Sequence, residues 1–454
     1  MTNVAASVQT VKEHYQLYPY PFRAPEDEKR RLVYPILDCP EMLNHYCYAG
    51  RRDIMDGLRV LVAGGGTGDS AIYMAELMRH GKGEVVYVDL SETSMKIAQE
   101  RAQIRGLTNI RWHLASLLDV GDMGLGTFDY INCSGVLHHL PDPDAGLRAL
   151  ASVLKDNGAM AVMLYGTYGR MEIYLMQDAL RLLNEGETSL KARVDNAKAL
   201  MSCLPRSNMF AQMFARWKHE VEMGGDSGIY DLLLHSQDRP YTVPQVYSFA
   251  EQVGLNVVEF FDVPGARWFY KPEIYLQAKP ALAERVKALP KPLRYAIAEA
   301  LHGNMSKQSF YLSRQQPTPP VFDDVDMVPL FLQDLIKGAD MARSLRSQDK
   351  PLKMIKPMPG LQMELNLAPR VADVVEHIDG RRSFGDIFNI VRAMPAHKAN
   401  PPTDATLFDE LRVLYEPLNN LDLMLLRHKS VPRPPSAEEM QKPHWLKAMR
   451  EHQR

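Results

Sequence analysis

From Leu58 onward the chain alternates short apolar runs with amphipathic stretches. RVLVA at 59–63 reads as a buried strand, and a glycine loop leads from it into the helical stretch DSAIYMAELMRH. EVVYVDL at 84–90 predicts the next strand, and Ser91 is placed to cap the helix SETSMKIAQERAQIRG. NIRWHLA, FDYINCSG and AMAVMLYG supply three more strands, with DPDAGLRALASVL a helix between the last two. Strands and helices alternating at this spacing predict parallel β-α-β units with helices on both faces of the sheet.

The pattern changes on either side of this block. Residues 4–18 predict a short helix with Val8, Val11 and Tyr15 on one face, stopped by Pro19 and Pro21 within the aromatic segment YPYPF. Residues 171–240 lose the alternation and read as a helical insertion broken at Pro205 and Gly224-Gly225. Alternation resumes with Thr242 and Gln245 at capping-box spacing, then the strand LNVVEFF at 255–261. The Pro-rich QQPTPP at 315–320 reads as a linker. Beyond it, LAPRVADVVEHIDG, SFGDIFNIVRAM and TLFDELRVLYEPLNN predict three helices, and LDLMLLR a closing strand. They resemble a small winged-helix-like module, read here as a packing or dimerisation appendage because no base-reading helix rich in Arg, Lys and Asn occurs in it.

The expected architecture is thus α/β, a Rossmann-like mostly parallel sheet with helices on both faces. An N-terminal helical and aromatic lid spans 1–50, and the sheet domain 51–280 carries the insertion at about 171–240. A helical connector and linker at 281–330, the small module at 331–430 and a solvated, flexible tail at 431–454 complete the chain.

Charge and cysteine content narrow the function. Among 454 residues, 53 Lys and Arg against 55 Asp and Glu leave a net charge of −2, so nothing global draws the chain to nucleic acid. Cys39, Cys47, Cys133 and Cys203 form no C-x-x-C pair, which suits a reducing compartment. No secretory signal is visible in MTNVAASVQTVKEH, and no apolar run reaches the ~20 residues of a membrane helix. A cytoplasmic protein without a membrane span is expected.

The candidate chemistry sits at the glycine loop, Ala63-Gly64-Gly65-Gly66-Thr67-Gly68-Asp69. Asp89 ends the next strand 21 residues after Gly68, where a carboxylate can accept hydrogen bonds from both hydroxyls of a ribose. A dinucleotide fingerprint G-x-G-x-x-G would place its last glycine at Asp69, whose charge repels a pyrophosphate. G-x-G-x-G suits a nucleoside ligand without phosphate.

Through VLVAGGGTG, VYVDLS and FDYINCSGVLHHLPDPDAGLRALASVLKDNGAMAVMLYG, the chain resembles the class I S-adenosylmethionine-dependent methyltransferases over roughly 55–165 and 242–280. The resemblance implies that Gly64, Gly65, Gly66 and Gly68 pass the methionine and ribose of S-adenosyl-L-methionine, and that Asp89 holds the ribose. It further implies that Leu90 packs on the adenine, that Ser116 and Leu117 meet its edge, and that Cys133 and Ser134 border the methyl-donor pocket. The sequence departs from the family at Val62, where the first strand usually carries an acid near the methionine amino group, and at Ser116, which replaces a common aspartate. YPYPF, VLHHLPDP, LYG..GR at 164–170 and LLLHSQDRPYT at 232–242 extend the likeness to bacterial methyltransferases with a regulatory domain, among them the rickettsial type that methylates protein lysines.

For catalysis the candidates are His138 as a hydrogen-bonding group or base, with Tyr18 and Tyr20 closing over the pocket. No metal is expected, since neighbouring His138 and His139 point apart on a turn and no third ligand has helical spacing to either. The expected activity is methyl transfer to an N or O nucleophile on a protein side chain. A small-molecule acceptor, or a degenerate binding partner without catalysis, stands as the alternative, and a homodimer is allowed.

Overall fold

The computed structural model describes residue 13 and residues 15–261, 266–332, 335–347, 352–356 and 361–441. Of the helix read at 4–18, Tyr15–Leu17 is helical; Val8 and Val11 lie outside the described residues, as does the tail beyond Gln441.

Seven strands form the central sheet: β1 (Arg59–Ala63), β2 (Glu84–Asp89), β3 (Ile110–Leu114), β4 (Phe128–Ser134), β5 (Leu154–Tyr165), β6 (Asn256–Phe261) and β7 (Lys307–Ser313). Their order is β3-β2-β1-β4-β5-β7-β6. β1 to β5 pair in parallel, and β7 runs antiparallel between β5 and β6. The continuous apolar character of β1 has a direct cause. Val60 and Val62 enter the core on one face of the sheet, while Leu61 and Ala63 enter the core on the other. A parallel strand buried on both faces leaves no position for a polar residue. The helix Glu92–Arg105 begins at Ser91, whose hydroxyl accepts from Ser94 N, and ends at Gly106 in the left-handed region.

β7 lies inside the stretch read as a connector, so the sheet domain continues past residue 280 to Ser313. The helices Pro280–Lys287 and Lys291–His302 of that stretch do form. The strand escapes a hydrophobicity reading because KQSFYLS buries Gln308 and Ser309. Gln308 is satisfied inside the domain, donating to Glu299 at 2.7 Å and accepting from Tyr270 at 2.6 Å.

The insertion is helical, with Met171–Leu183, Leu190–Ser202, Met209–Lys218 and Gly225–Leu233. It carries its own core around Ile173, Leu180, Phe210, Trp217 and Ile229. In the C-terminal unit the helices Arg370–Val375, Phe384–Ala393 and Asp404–Asn420 appear where the sequence predicts them, over a separate core. β8 (Met327–Phe331), β9 (Leu352–Lys356), β10 (Leu361–Leu365) and β11 (Met424–His428) form two antiparallel pairs, β9 with β10 and β11 with β8. No helix among the described residues is long and apolar enough to cross a membrane.

The N-terminal segment is bound to both ends of the molecule. The helix Pro40–Cys47 packs on β11, where His45 Nδ1 accepts from Leu426 N at 3.0 Å. Glu28, itself buried, accepts from Arg101 at 2.7 Å and also from Arg105, and both arginines are buried on the helix Glu92–Arg105. Arg105 donates onward to the carbonyls of Met440 and Gln441. The first part of the tail, up to Gln441, is therefore packed, with Met440 buried.

Candidate functional site

At the carboxyl ends of β1, β2 and β4, where the strand order reverses, a cavity of about 390 Å³ opens. This is the position at which open α/β sheets bind ligands, and the volume suits a nucleoside-sized one. Gly64, Gly65, Gly66, Gly68, Asp89, Leu90, Ser116, Leu117 and Ser134 all line it, as the sequence predicts. Gly68 holds φ +100°, a conformation open to glycine, and Gly65 faces the Tyr87 ring, which a Cβ would approach to 2.1 Å. Tyr87 also donates its hydroxyl to Gly66 O at 2.6 Å, so β2 shapes the loop from beneath.

Asp89 accepts from Gly66 N at 2.7 Å on one oxygen and from Ser91 N at 2.7 Å on the other. Each oxygen keeps lone-pair capacity for a ligand hydroxyl. Burial raises its pKa against these backbone bonds. The pair of oxygens in the cavity fits the ribose of S-adenosyl-L-methionine. Ser116 Oγ accepts from Leu118 N, capping the short turn after β3, so it serves the backbone as well as the cavity.

Asp69 works differently from the sequence reading. Its carboxylate is paired with Arg23 at 2.7 Å and Arg101 at 2.7 Å. Burial pushes its pKa up, but the bonds and charge of the two arginines outweigh that and hold it below the ordinary carboxylate range. Asp69 thus latches the N-terminal segment over the loop, helped by Thr67 Oγ1 donating to Pro21 O at 2.7 Å. Arg23→Ala is expected to speed dissociation of S-adenosylhomocysteine about tenfold in stopped-flow, because a bidentate pair on the lid is lost. An unchanged off-rate would refute the latch.

Three sequence candidates do not reach the cavity. Cys133 points into the core, because successive residues on β4 face opposite sides and Ser134 takes the cavity side. Tyr18 stacks on Tyr230 at 5.3 Å and anchors the segment to the insertion. His138 is buried against Tyr165, ring centroids 3.9 Å apart, and burial with the charges of His139 and Arg170 pushes its pKa well below that of an ordinary imidazole. Tyr20 does line the cavity.

Beyond the glycine loop, Tyr15, Tyr20, His139, Tyr165 and Asp231 close the cavity. Tyr15 donates to Asp231 at 3.2 Å and Tyr165 donates to its other oxygen at 3.3 Å. His139 Nδ1 lies 2.8 Å from Gln237 O, a contact that requires N–H there and makes Nε2 the acceptor nitrogen whenever the imidazole is neutral. His235 Nδ1 accepts from Gln237 N at 3.1 Å, and its Nε2 lies 3.5 Å from Tyr15 Oη. Arg170, stacked 3.5 Å over the Tyr165 ring and paired with Asp238 at 3.5 Å, is spent on structure, and Arg239 is exposed. The sequence signal for Asp231 was a single acid within the apolar helix GIYDLLL.

The sheet order, the glycine loop and Asp89 define a class I S-adenosylmethionine-dependent methyltransferase. Residues 61–160 match the family described as Methyltransferase domain. The chain belongs to the same family as the uncharacterized protein syc1184_c of Synechococcus sp., to which it is 33% identical over 320 residues, 68% of this chain and 72% of that one. It is 32% identical over 102 residues to the ubiquinone biosynthesis O-methyltransferase of Neisseria meningitidis, covering 22% of this chain and 42% of that protein. The tRNA 5-carboxymethoxyuridine methyltransferase of Escherichia coli is 34% identical over 113 residues, 25% of this chain and 42% of that protein. The chain thus spans less than half the length of these two relatives. PKMT2 from Rickettsia typhi, in complex with AdoHcy, shares the fold with a TM-score of 0.62 at 16% identity, over 90% of this chain and 77% of that one.

Asp89→Ala is expected to raise the Kd for S-adenosylhomocysteine at least about 100-fold in calorimetry, since two hydrogen bonds to a charged acceptor, each worth roughly 1.5 kcal/mol or more, are lost. A change under threefold would refute the ribose assignment.

Proposed function

We propose that this methyltransferase acts on a nitrogen nucleophile of a protein side chain. The observation that carries this reading is Asp231, a buried carboxylate in the cavity wall that accepts from Tyr15 and Tyr165. A buried anion among aromatic rings favours a cationic amine over a neutral hydroxyl. The bound cofactor supplies a methyl group already activated on a sulfonium. The chain must then align the nitrogen and free its lone pair. Tyr15 and Tyr165 hold Asp231 in place, Asp231 receives the amine hydrogens, and His139 Nε2 offers a base within the same wall. Tyr20 and the latched N-terminal segment cover the pocket and keep water out.

The test is transfer of tritiated methyl from S-adenosyl-L-methionine into cell lysate. The expected product is acid-precipitable, released by protease and resistant to both RNase and mild alkali. Label in the small-molecule fraction, or label lost to RNase or to alkali, overturns the reading.

A further inference from the structure

β1 brings no charge to the cavity, since its lining residue there is Val62. The register partner of Val62 on β4 is Asn132, which lines the same cavity. Behind Asn132 stands Asp38, delivered by the N-terminal turn Ile36–Asp38 and fully buried. The turn is held in place by Tyr311, whose hydroxyl donates to Leu37 O at 3.1 Å, and by Tyr130, whose hydroxyl also lies 3.0 Å from that carbonyl. Ile36 and Leu37 themselves line the cavity.

The hydrogen bonds orient this pair. Asn132 Nδ2 donates to Asp38 Oδ1 at 2.7 Å, and Tyr130 donates to the same oxygen at 2.7 Å. With one amide N–H committed to Asp38, the Asn132 amide is oriented with its nitrogen toward Asp38, and its Oδ1 keeps acceptor capacity for a ligand in the cavity. Asp38 Oδ2 has no hydrogen-bond partner among the described residues. A buried carboxylate oxygen without a partner is costly, and a ligand cation held on the far side of Asn132 offsets part of that cost. Burial raises the Asp38 pKa to about 6, against the bonds from Tyr130 and Asn132 and the nearby Ser70 hydroxyl, itself unpaired among the described residues.

We propose that Asp38 and Asn132 together receive the α-ammonium of the cofactor's methionine moiety, Asn132 Oδ1 accepting directly and Asp38 acting as the positioning anion behind it. The N-terminal segment then does for the amino-acid end of the cofactor what Val62 cannot do. This rests on the assignment of S-adenosyl-L-methionine and is independent of the acceptor.

Two probes separate the amino-acid end from the nucleoside end: S-adenosylhomocysteine, and 5′-methylthioadenosine, which lacks the ammonium and carboxylate. In calorimetry on the full chain, Asp38→Asn is expected to weaken S-adenosylhomocysteine at least tenfold and to leave 5′-methylthioadenosine within twofold. Asn132→Leu, which keeps the side-chain volume, is expected to give the same selective loss. Selective loss in either variant supports the pairing. Equal loss of both probes in both variants, or no loss, overturns it. A wild-type chain that binds neither probe overturns the cofactor assignment and this proposal with it.

Discussion

Replacing Asp231 by asparagine is expected to lower kcat about 10³-fold while leaving S-adenosylhomocysteine affinity within twofold of wild type. The substitution keeps size and hydrogen-bonding capacity and removes only the charge that holds the amine. Tyr15 and Tyr165 donate to different oxygens of the carboxylate, so one still donates to the amide oxygen while the other hydroxyl accepts from the amide N–H, and the wall should stay in place. The pH dependence has a definite sign. Burial raises the Asp231 pKa, opposed by the charges of His139 and Arg170 and the bond from Tyr15. Wild-type kcat should therefore fall as pH drops through that raised value, because protonated Asp231 no longer carries the charge. Deprotonation of the amine adds a second rise at higher pH, and Asp231→Asn should retain that rise while losing the lower limb. Residual activity above one tenth of wild type, or a lower limb that survives, would remove Asp231 from the chemistry.

The second large effect concerns stability. Glu28→Ala leaves Arg101 and Arg105, 1% and 0% exposed, without their shared carboxylate. Breaking a buried pair by removing one partner costs about 3–5 kcal/mol, because the remaining charge stays buried and uncompensated. Here two cations would be stranded, though Asp69 still pairs with Arg101 and Glu76 with Arg105 at 3.4 Å. Urea unfolding followed by tryptophan fluorescence measures the loss, and Trp112, 4.9 Å from the Tyr87 ring beside the glycine loop, reports on the affected region. A loss below about 1 kcal/mol would mean that Asp69, Glu76 and backbone carbonyls satisfy the arginines alone.

Much of the sheet was legible because its strands are buried on both faces and so read as unbroken apolar runs, as at Val60 to Ala63 and Val85 to Val88. β7 was not, because its buried residues include the polar Gln308, Ser309 and Ser313, and Gln308 is satisfied by Tyr270 and Glu299 outside the strand. The cofactor half of the site was legible because one loop and one following acid lie 21 residues apart on a single β-α-β unit. The acceptor half joins Tyr15 to Asp231 across 216 residues, and no local pattern encodes that contact. The choice between His138 and His139 turns on a short 3-10 turn, Leu137–His139, whose geometry sends one ring to the cavity and the other beneath Tyr165. Asp69 shows a different failure. Its charge was correctly noticed, but its role depends on Arg23 and Arg101, which only the folded chain brings to it.

The helix Glu92–Arg105 starts beside Asp89 and ends at Arg105, which grips Glu28 from the beginning of the chain and the carbonyls of Met440 and Gln441 from near its end. During synthesis, Glu28 must wait for residues some 400 positions later before this knot can be tied. A nascent chain halted after β6 would hold its sheet strands and glycine loop but lack β7, β11 and the last partners of Arg105. The lid would then rest on a half-built seat, and ligand capture would become a property acquired late, once the residues around Gln441 have emerged.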